Sequence, residues 1–507
     1  MTLKRNLIAN YLGQGWSAAM GLAFIPLYIR YLGMESYGLI GIFAVMQAWL
    51  AMLDMGLTPT LNREMARFNA GVHTAQYILD LLRSLECLCF GLAAVIALSI
   101  WAASGYMATG WLQAGSLSFD VVGQALAIMG VVVALRFCEG IYRGSLFGLQ
   151  QQVWFNGVNA LLATLRHGGA VAILVCVSPT VAAFFYWQGV CSLIGVAVLA
   201  WRVHRVLPSP PVPAVFSMPV LRDVSQFAGG MMGITLLSIL LTQVDKLLLS
   251  RMLTLDHFGA YTLAGTVAGT FYLLIVPITQ AFYPRMVELV SNVGEGELVE
   301  LYHLGAQIVT VLTLPVALTF FFHGDKVIFL WSGDTLLARN VGLVLAPLVL
   351  GTFLNGMMHL PYQLQLANGW TSFTVKINLV GVAVLIPAIL WVVPRYGAVG
   401  AAWIWVALNA GYVLVAIQFM HVRLIPPEKW RWYKDDLAGP VAGAALMFVL
   451  GDAFAPPEGA GRWAWAAFLA AVSLLALMGA AGGANRIRPR IQATIMALIR
   501  RASQPAE

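Results

Sequence analysis

ILLTQVDKLLLSRMLTLDHFG, residues 239–259, holds the features that decide how this chain folds. It opens as a run of leucines, is broken by the adjacent pair Asp245 and Lys246, and closes on a short polar turn. A run like this is either a buried soluble helix or a membrane span, and the whole chain decides between them. Of its 507 residues, 60% are hydrophobic and 10% are charged. Ordinary soluble domains carry about 25% charged residues. A soluble protein of this size still has to cover its surface with polar groups. The apolar residues come in blocks of about twenty, the length of helix that crosses about 30 Å of hydrocarbon. A transmembrane barrel shows short alternating segments instead. The sequence therefore specifies an all-α polytopic membrane protein.

Fourteen candidate spans follow: 7–29, 36–58, 76–103, 120–145, 153–177, 180–201, 224–250, 257–280, 304–323, 336–363, 371–393, 397–421, 433–451 and 461–481. The amino-terminal stretch MTLKRNLIANYLGQGWSAAMG has the charged start of a signal peptide, but its apolar run continues to Ile29, so it is read as a retained first span. With both termini in the cytoplasm, most of the 29 Lys and Arg fall on the inner side. Only Arg30, Arg251, Lys326, Arg339, Arg395 and Arg462 are left outside, and Arg83, Arg136, Arg166 and Lys246 lie within spans. That asymmetry is the positive-inside pattern, and it accounts for the net charge of +7 without a nucleic-acid partner. The basic, weakly amphipathic tail 485–507 is expected to lie against the inner leaflet. Cys87, Cys89, Cys138, Cys176 and Cys191 all sit in apolar segments and read as small buried hydrophobes with no disulfides, and no metal-ligand spacing or cofactor motif is present.

The turn closing the opening stretch recurs. RYLGMESYG (30–38) lies on RMLTLDHFG (251–259), matching Arg30 with Arg251, Leu32 with Leu253 and Gly38 with Gly259. Each copy joins the first and second spans of a six-span set. The expected organisation is an N-lobe 1–205, a cytoplasmic linker 206–223, a C-lobe 224–423, two extra helices 424–484 and the tail. Six spans return the chain to its starting side, so the lobes would be parallel repeats about an axis along the membrane normal, with substrate access alternating across the membrane.

LIANYLGQGWSAAMGLAFIPLYIRYLGMESYGLIG (7–41), LDMGLTPTLNREMAR (53–67) and VDKLLLSRMLTLDHFGAYTLAG (244–265) resemble the Wzx-type oligosaccharide flippases, polysaccharide transporters of the MOP superfamily. The likeness covers essentially the whole chain, including the six-plus-six-plus-two arrangement. It implies transfer of a polyprenyl-diphosphate-linked oligosaccharide from the inner to the outer leaflet of a bacterial inner membrane. It also implies contact with membrane lipids and with the polysaccharide polymerase and chain-length machinery. In the related lipid II flippases the extra helices form a groove for the lipid tail. O-antigen, capsule and exopolysaccharide export all remain open.

An ionisable residue within a span costs about 2.5–3.5 kcal/mol at mid-helix and so marks a candidate site. Asp80, Arg83 and Glu86 recur at three-residue spacing and can neutralise one another, as can Arg136, Glu139 and Arg143. These ladders are read as either self-satisfied or cavity-lining. Arg166 has no acid near it in its span and precedes Gly168 and Gly169, so it must face a partner helix or water. His167 turns away from it and reads as a packed histidine. Asp245 and Lys246, being adjacent, are expected to find separate partners lining a cavity. Asn10 with Gln14, Gln47 with Asp54, and Asn355, His359 and Gln363 form polar stripes, and Lys376 sits shallowly in its span. Arg166, with Arg83, Arg136 or Lys246, would hold a diphosphate or acidic sugars, because guanidinium forks match phosphate oxygens. Asp54, Glu139 and Asp245 are the candidate coupling sites. The alternative is a cation-coupled multidrug exporter of the same superfamily, which the absence of an acid in the first span disfavours. No nucleophile, paired catalytic carboxylates or nucleotide-sugar motif lies outside the spans, so no enzyme is expected.

Overall fold

The computed structural model describes residues 2–53, 57–69, 71–208, 212–291, 295–490 and 492–493, with side chains omitted at 2–10, 51–53, 59, 225–238, 241, 284, 291, 295 and 371. Among them the chain is helical, with a single isolated bridge between Gln113 and Thr254 and no strand. A chain in lipid must satisfy its backbone internally, and helices do this within one segment. Nine helical stretches among the described residues are long and apolar enough to cross a membrane. One of them, Ser372–Leu424, covers the two spans read at 371–393 and 397–421. Gly397 breaks it at φ 58°, a left-handed conformation that favours glycine.

Residues 1–259 and 260–507 form two compact units. The first holds α1 (Thr2–Ala23), α2 (Ile25–Leu32), α3 (Met34–Leu53), α4 (Leu57–Asn69), α5 (Ala75–Tyr106), α6 (Phe119–Gly148), α7 (Gln152–Cys176), α8 (Val181–Val206) and α9 (Met218–Met252), with the start of α10 (Leu255–Gly269). Its centre is α6, which packs against α5, α8, α4 and α3, while α1 packs along α7. Helix starts are set by side-chain caps: Thr74, Ser118 and Thr180 each accept a backbone N–H of the first turn of α5, α6 and α8. The spans read at 7–29, 36–58 and 224–250 fall on α1 with α2, on α3 and on α9. The linker is tied to α5, since Asp80 accepts from the Val215 amide and Ser84 from the Ser217 amide.

The two copies of the repeated turn meet within this unit. A Cβ on Gly38 would collide with the Leu255 carbonyl, and one on Gly259 with the Met34 carbonyl, so matched positions contact each other reciprocally. Glu35, in the first copy, is buried (6% exposed) and accepts hydrogen bonds from the Gly115 and Ser116 amides and the Ser116 hydroxyl. Burial pushes its carboxyl upward, but these bonds outweigh it and hold the pKa below the usual value. A depressed carboxylate adds stability above its unfolded pKa and loses it as pH falls through the folded one. Acidification into and below the carboxylate range is therefore predicted to loosen residues 112–118. Glu35→Gln should loosen them at neutral pH and abolish the pH dependence. Amide exchange at Gly115 and Ser116 reads this, and protection independent of pH in the wild type would refute it.

The second unit holds the rest of α10, then α11 (Tyr272–Ser291), α12 (Glu295–Ser332), α13 (Thr335–Met357), α14 (His359–Ala367), α15 (Thr371–Gly411), α16 (Ile417–Leu424), the single turn α17 (Lys429–Arg431), α18 (Gly439–Asp452) and α19 (Arg462–Gly483). Here α12 is central, packing on α13, α19 and α11. The span read at 433–451 is a π-helical turn, Trp432–Ala438, running into α18. The last two helices cross at facing small residues: Gly443 packs on the Gly479 backbone and Gly439 on that of Gly483. Two such Gly-x-x-x-Gly faces let backbones approach closely without needing a hydrophobic driving force. Gly479→Leu is predicted to lower the thermal midpoint of the purified protein by overpacking this crossing, a cost of about 1–3 kcal/mol. Gly482→Leu, which meets open space, should leave it unchanged. Equal midpoints for the two variants would sink the packing argument.

Cys89, Cys138 and Cys191 are buried, but Cys87 and Cys176 are exposed, contrary to the reading of all five as buried. An apolar residue on a span can face lipid, so an apolar segment does not imply a buried position.

Candidate functional site

A cavity of about 530 Å³ lies inside the first unit, among α3, α4, α6, α7 and α8. Gln47, Arg136, Glu139, Arg143, Asn159 and Arg166 supply its polar lining. Arg136 donates from Nη1 to Gln47 Oε1 at 2.6 Å, from Nη2 to Gln188 Oε1 at 2.8 Å and from Nε to Ser192 Oγ at 3.4 Å. Its guanidinium also lies 4.9 Å over the Phe43 ring. Two neighbouring helices, α3 and α8, thus orient this cation through neutral groups. Arg166 on α7 reaches Glu139 on α6 at 3.4 Å, with the two side chains 16% and 20% exposed. The Nε of Arg166 is buried without a hydrogen-bond partner among the described residues. Among the described residues three arginines face one carboxylate, which makes this lining electropositive, inside a unit that exposes large apolar side chains.

Of the two readings of the α6 ladder, self-satisfied or cavity-lining, these contacts favour the second. Arg136 and Glu139 do not satisfy each other; each is engaged by other helices, because the helix core at their level is packed on α3, α7 and α8. They also supply the acid that the span of Arg166 lacks. Gly169 admits the Trp187 ring, whose Nε1 donates to the Leu165 carbonyl. His167 is packed as read, hydrogen-bonded to the Tyr28 hydroxyl at 3.1 Å.

The other candidates lie elsewhere. Arg83 is 57% exposed and reaches Glu86 at 3.7 Å. Glu86 is buried and also accepts from Tyr142 and contacts His204, which ties α5 to α6 and α8. Asp245 and Lys246 contact each other at 3.4 Å, and Lys246 donates to the Thr242 carbonyl. The lysine stem thus folds back along its own helix. Gln14 and Lys376 are exposed. In the second unit Asn355 accepts from the Tyr272 hydroxyl and donates to Asn409, while His359 packs on Tyr272 across the break between α13 and α14. Asp54 and the side chain of Asn10 lie outside the described residues.

Sequence reading passed over a second buried polar cluster. His303 on α12 is fully buried, with Nδ1 on Asp436 and Nε2 3.1 Å from Glu428. Gln307 donates to Asp436 at 2.9 Å and to Asn485, and accepts from the Arg486 amide. Tyr302 bonds His421 at 2.8 Å. The signal was Asp436, an acid inside the span read at 433–451.

Fold and cavity together define a multi-pass membrane transporter. The structure of the lipid II flippase MurJ in an inward closed conformation aligns with a TM-score of 0.69 and 11% identity over 93% of this chain and 97% of that one. An inward-facing multidrug resistance MATE family transporter of the MOP superfamily aligns at 0.61 with 14% identity over 83% and 96%. At such identities these show the fold. A Shigella flexneri protein named "Putative O-antigen transporter" is 20% identical over 430 residues, 84% of this chain and 99% of its own length. The family model described as "Polysaccharide biosynthesis protein" matches residues 3–290, and the chain belongs to that family. Its relatives are transporters and flippases, not enzymes.

Proposed function

We propose that this protein is a flippase that carries a polyprenyl-diphosphate-linked oligosaccharide from the cytoplasmic to the periplasmic leaflet of the inner membrane by alternating access, for surface polysaccharide synthesis. The observation that carries the reading is the cationic cavity of the first unit. Arg136 and Arg166 present guanidinium groups to a cavity with a single carboxylate, Glu139, among the described lining residues. A diphosphate bearing two or more negative charges is what such a space attracts, and a cationic drug is what it repels. The cavity volume suits a ligand of drug-like size, so it would hold the diphosphate and the first sugar while the polyprenyl tail stays in lipid.

The finer architecture belongs to the same proposal: fourteen spans with both termini cytoplasmic, two pseudo-symmetric six-span lobes, and α18 with α19 as an added pair beside the lipid tail. The reciprocal Gly38–Gly259 contact supports the repeat. The polysaccharide polymerase and chain-length proteins are the proposed partners. Deleting the gene in its host and analysing surface polysaccharide together with lipid-linked intermediates tests the function. Loss of the polysaccharide with complete lipid-linked units retained on the cytoplasmic face is the expected result. Intact polysaccharide with new sensitivity to cationic drugs would assign the chain to the exporters instead.

A further inference from the structure

The geometry points to Glu139 as a resident stand-in for the substrate's anionic group: it occupies Arg166 in the empty cavity, and an incoming phosphoryl group displaces it. This rests on the anion-site reading above and adds to it how the empty carrier resets.

The two half-buried arginines are held in different ways. Arg136 is bound at all three of its nitrogens by neutral acceptors, so its position is set while its charge is left for a ligand. Arg166 is held by one monodentate contact to Glu139 at 3.4 Å. That is long for a charge-assisted bond, which runs about 2.7–2.9 Å. Its Nε, buried and without a partner among the described residues, is a second donor that Glu139 leaves unused. A phosphoryl group offers three oxygens and can take both edges of the fork, so it outcompetes a single distant carboxylate oxygen. Glu139 is itself crowded by α8, where a Cβ on Gly195 would press on its Oε1. Its remaining charged neighbours are Arg136 and Arg143 on its own helix.

The consequence follows from electrostatics. A carrier that alternates must pass through its closed state both loaded and empty. When loaded, the substrate anion compensates the arginines. When empty, a buried Arg166 without a counter-charge is costly, and Glu139 removes that cost. Glu139 therefore weakens substrate binding by competing for Arg166 and speeds the return of the empty carrier. Removing its charge should separate the two effects, tightening binding while slowing turnover.

The test uses the purified full chain in lipid nanodiscs, with inorganic pyrophosphate as the probe, measured by calorimetry. E139Q is expected to bind pyrophosphate about tenfold more tightly than wild type, within the usual range of coupling between interacting groups. The same variant, at wild-type protein level in a deletion host, should lower export severalfold and accumulate lipid-linked precursor. In an R166Q background, E139Q should add little to affinity, because there is no longer an Arg166 to mask. Unchanged or weaker binding by E139Q, or an equal gain in the R166Q background, would overturn the inference. Should E139Q not fold, E139D keeps the charge but withdraws it by one methylene, and it should tighten binding in the same direction; no change would count against the inference. If wild type binds no pyrophosphate and R166Q changes nothing, the anion-site reading falls first, and this inference with it.

Discussion

Arg166→Glu is expected to abolish polysaccharide export while leaving the amount of folded protein near wild type. The substitution converts the electropositive cavity into one with two facing carboxylates, Glu139 and the new side chain, at the position where a diphosphate would bind. Losing one partner of a desolvated charge pair costs 2–5 kcal/mol or more, and every 1.4 kcal/mol is a factor of ten, so reversal should reduce export by about a hundredfold or more. Folding should survive because α7 keeps its packing on α1, including the Trp16–Thr164 and Asn159–Ser17 hydrogen bonds, neither of which involves Arg166. The new carboxylate also sits in a cavity with room to turn away. Surface polysaccharide in a complemented deletion strain, read beside the protein level in the membrane, checks this. Arg166→Lys should retain partial export, since the charge stays but the fork is lost. Normal export by the glutamate variant would remove Arg166 from the transport path.

The second large effect is on stability. His303→Leu leaves Asp436 and Glu428 buried beside an apolar side chain, with Gln307 the remaining hydrogen-bond donor to Asp436 among the described residues. Taking the partner from a buried, hydrogen-bonded carboxyl leaves a desolvated polar group unsatisfied, a cost of about 1–3 kcal/mol for each acid and a large share of the about 5–15 kcal/mol that holds a typical protein folded. The variant should show a markedly lower thermal midpoint in detergent and reduced yield. The double variant His303→Leu with Asp436→Leu should recover much of the loss, because replacing both partners with apolar groups of similar size is nearly neutral. A single variant with a wild-type midpoint would show that the cluster does not pin α12 to the segment before α18.

The class of the protein was legible early because hydropathy is additive along the chain. Blocks such as 120–145 and 153–177 are spans wherever they pack, whereas the caps that start helices, such as Thr74 and Ser118, came from the structure. Gln47, Arg136, Glu139 and Arg166 were each singled out by a local argument, the cost of polar groups in lipid. Which of them belong together was not legible. Arg83 and Arg136 have the same local context, an acid three residues along on an apolar helix, and only packing separates them: one snorkels beside Glu86, the other enters the cavity. His303 escaped attention because its partners lie in the segments around 428 and 436, more than a hundred residues away.

What the sequence determined by itself is therefore the environment: an all-helical chain in lipid, the spacing of its spans, the repeated turn at Arg30 and Arg251, and a set of charges too costly to be idle. What only the tertiary structure decided is the pairing of those charges. Arg166 meets Glu139, Arg136 meets Gln47 and Gln188, and Lys246 turns back on Asp245. The physical reason is one of range. The cost of burying a charge depends on the solvent around a single residue and can be read one position at a time. The electrostatic gain that offsets it falls off within a few ångströms, so it depends on neighbours that only the packing of helices brings together.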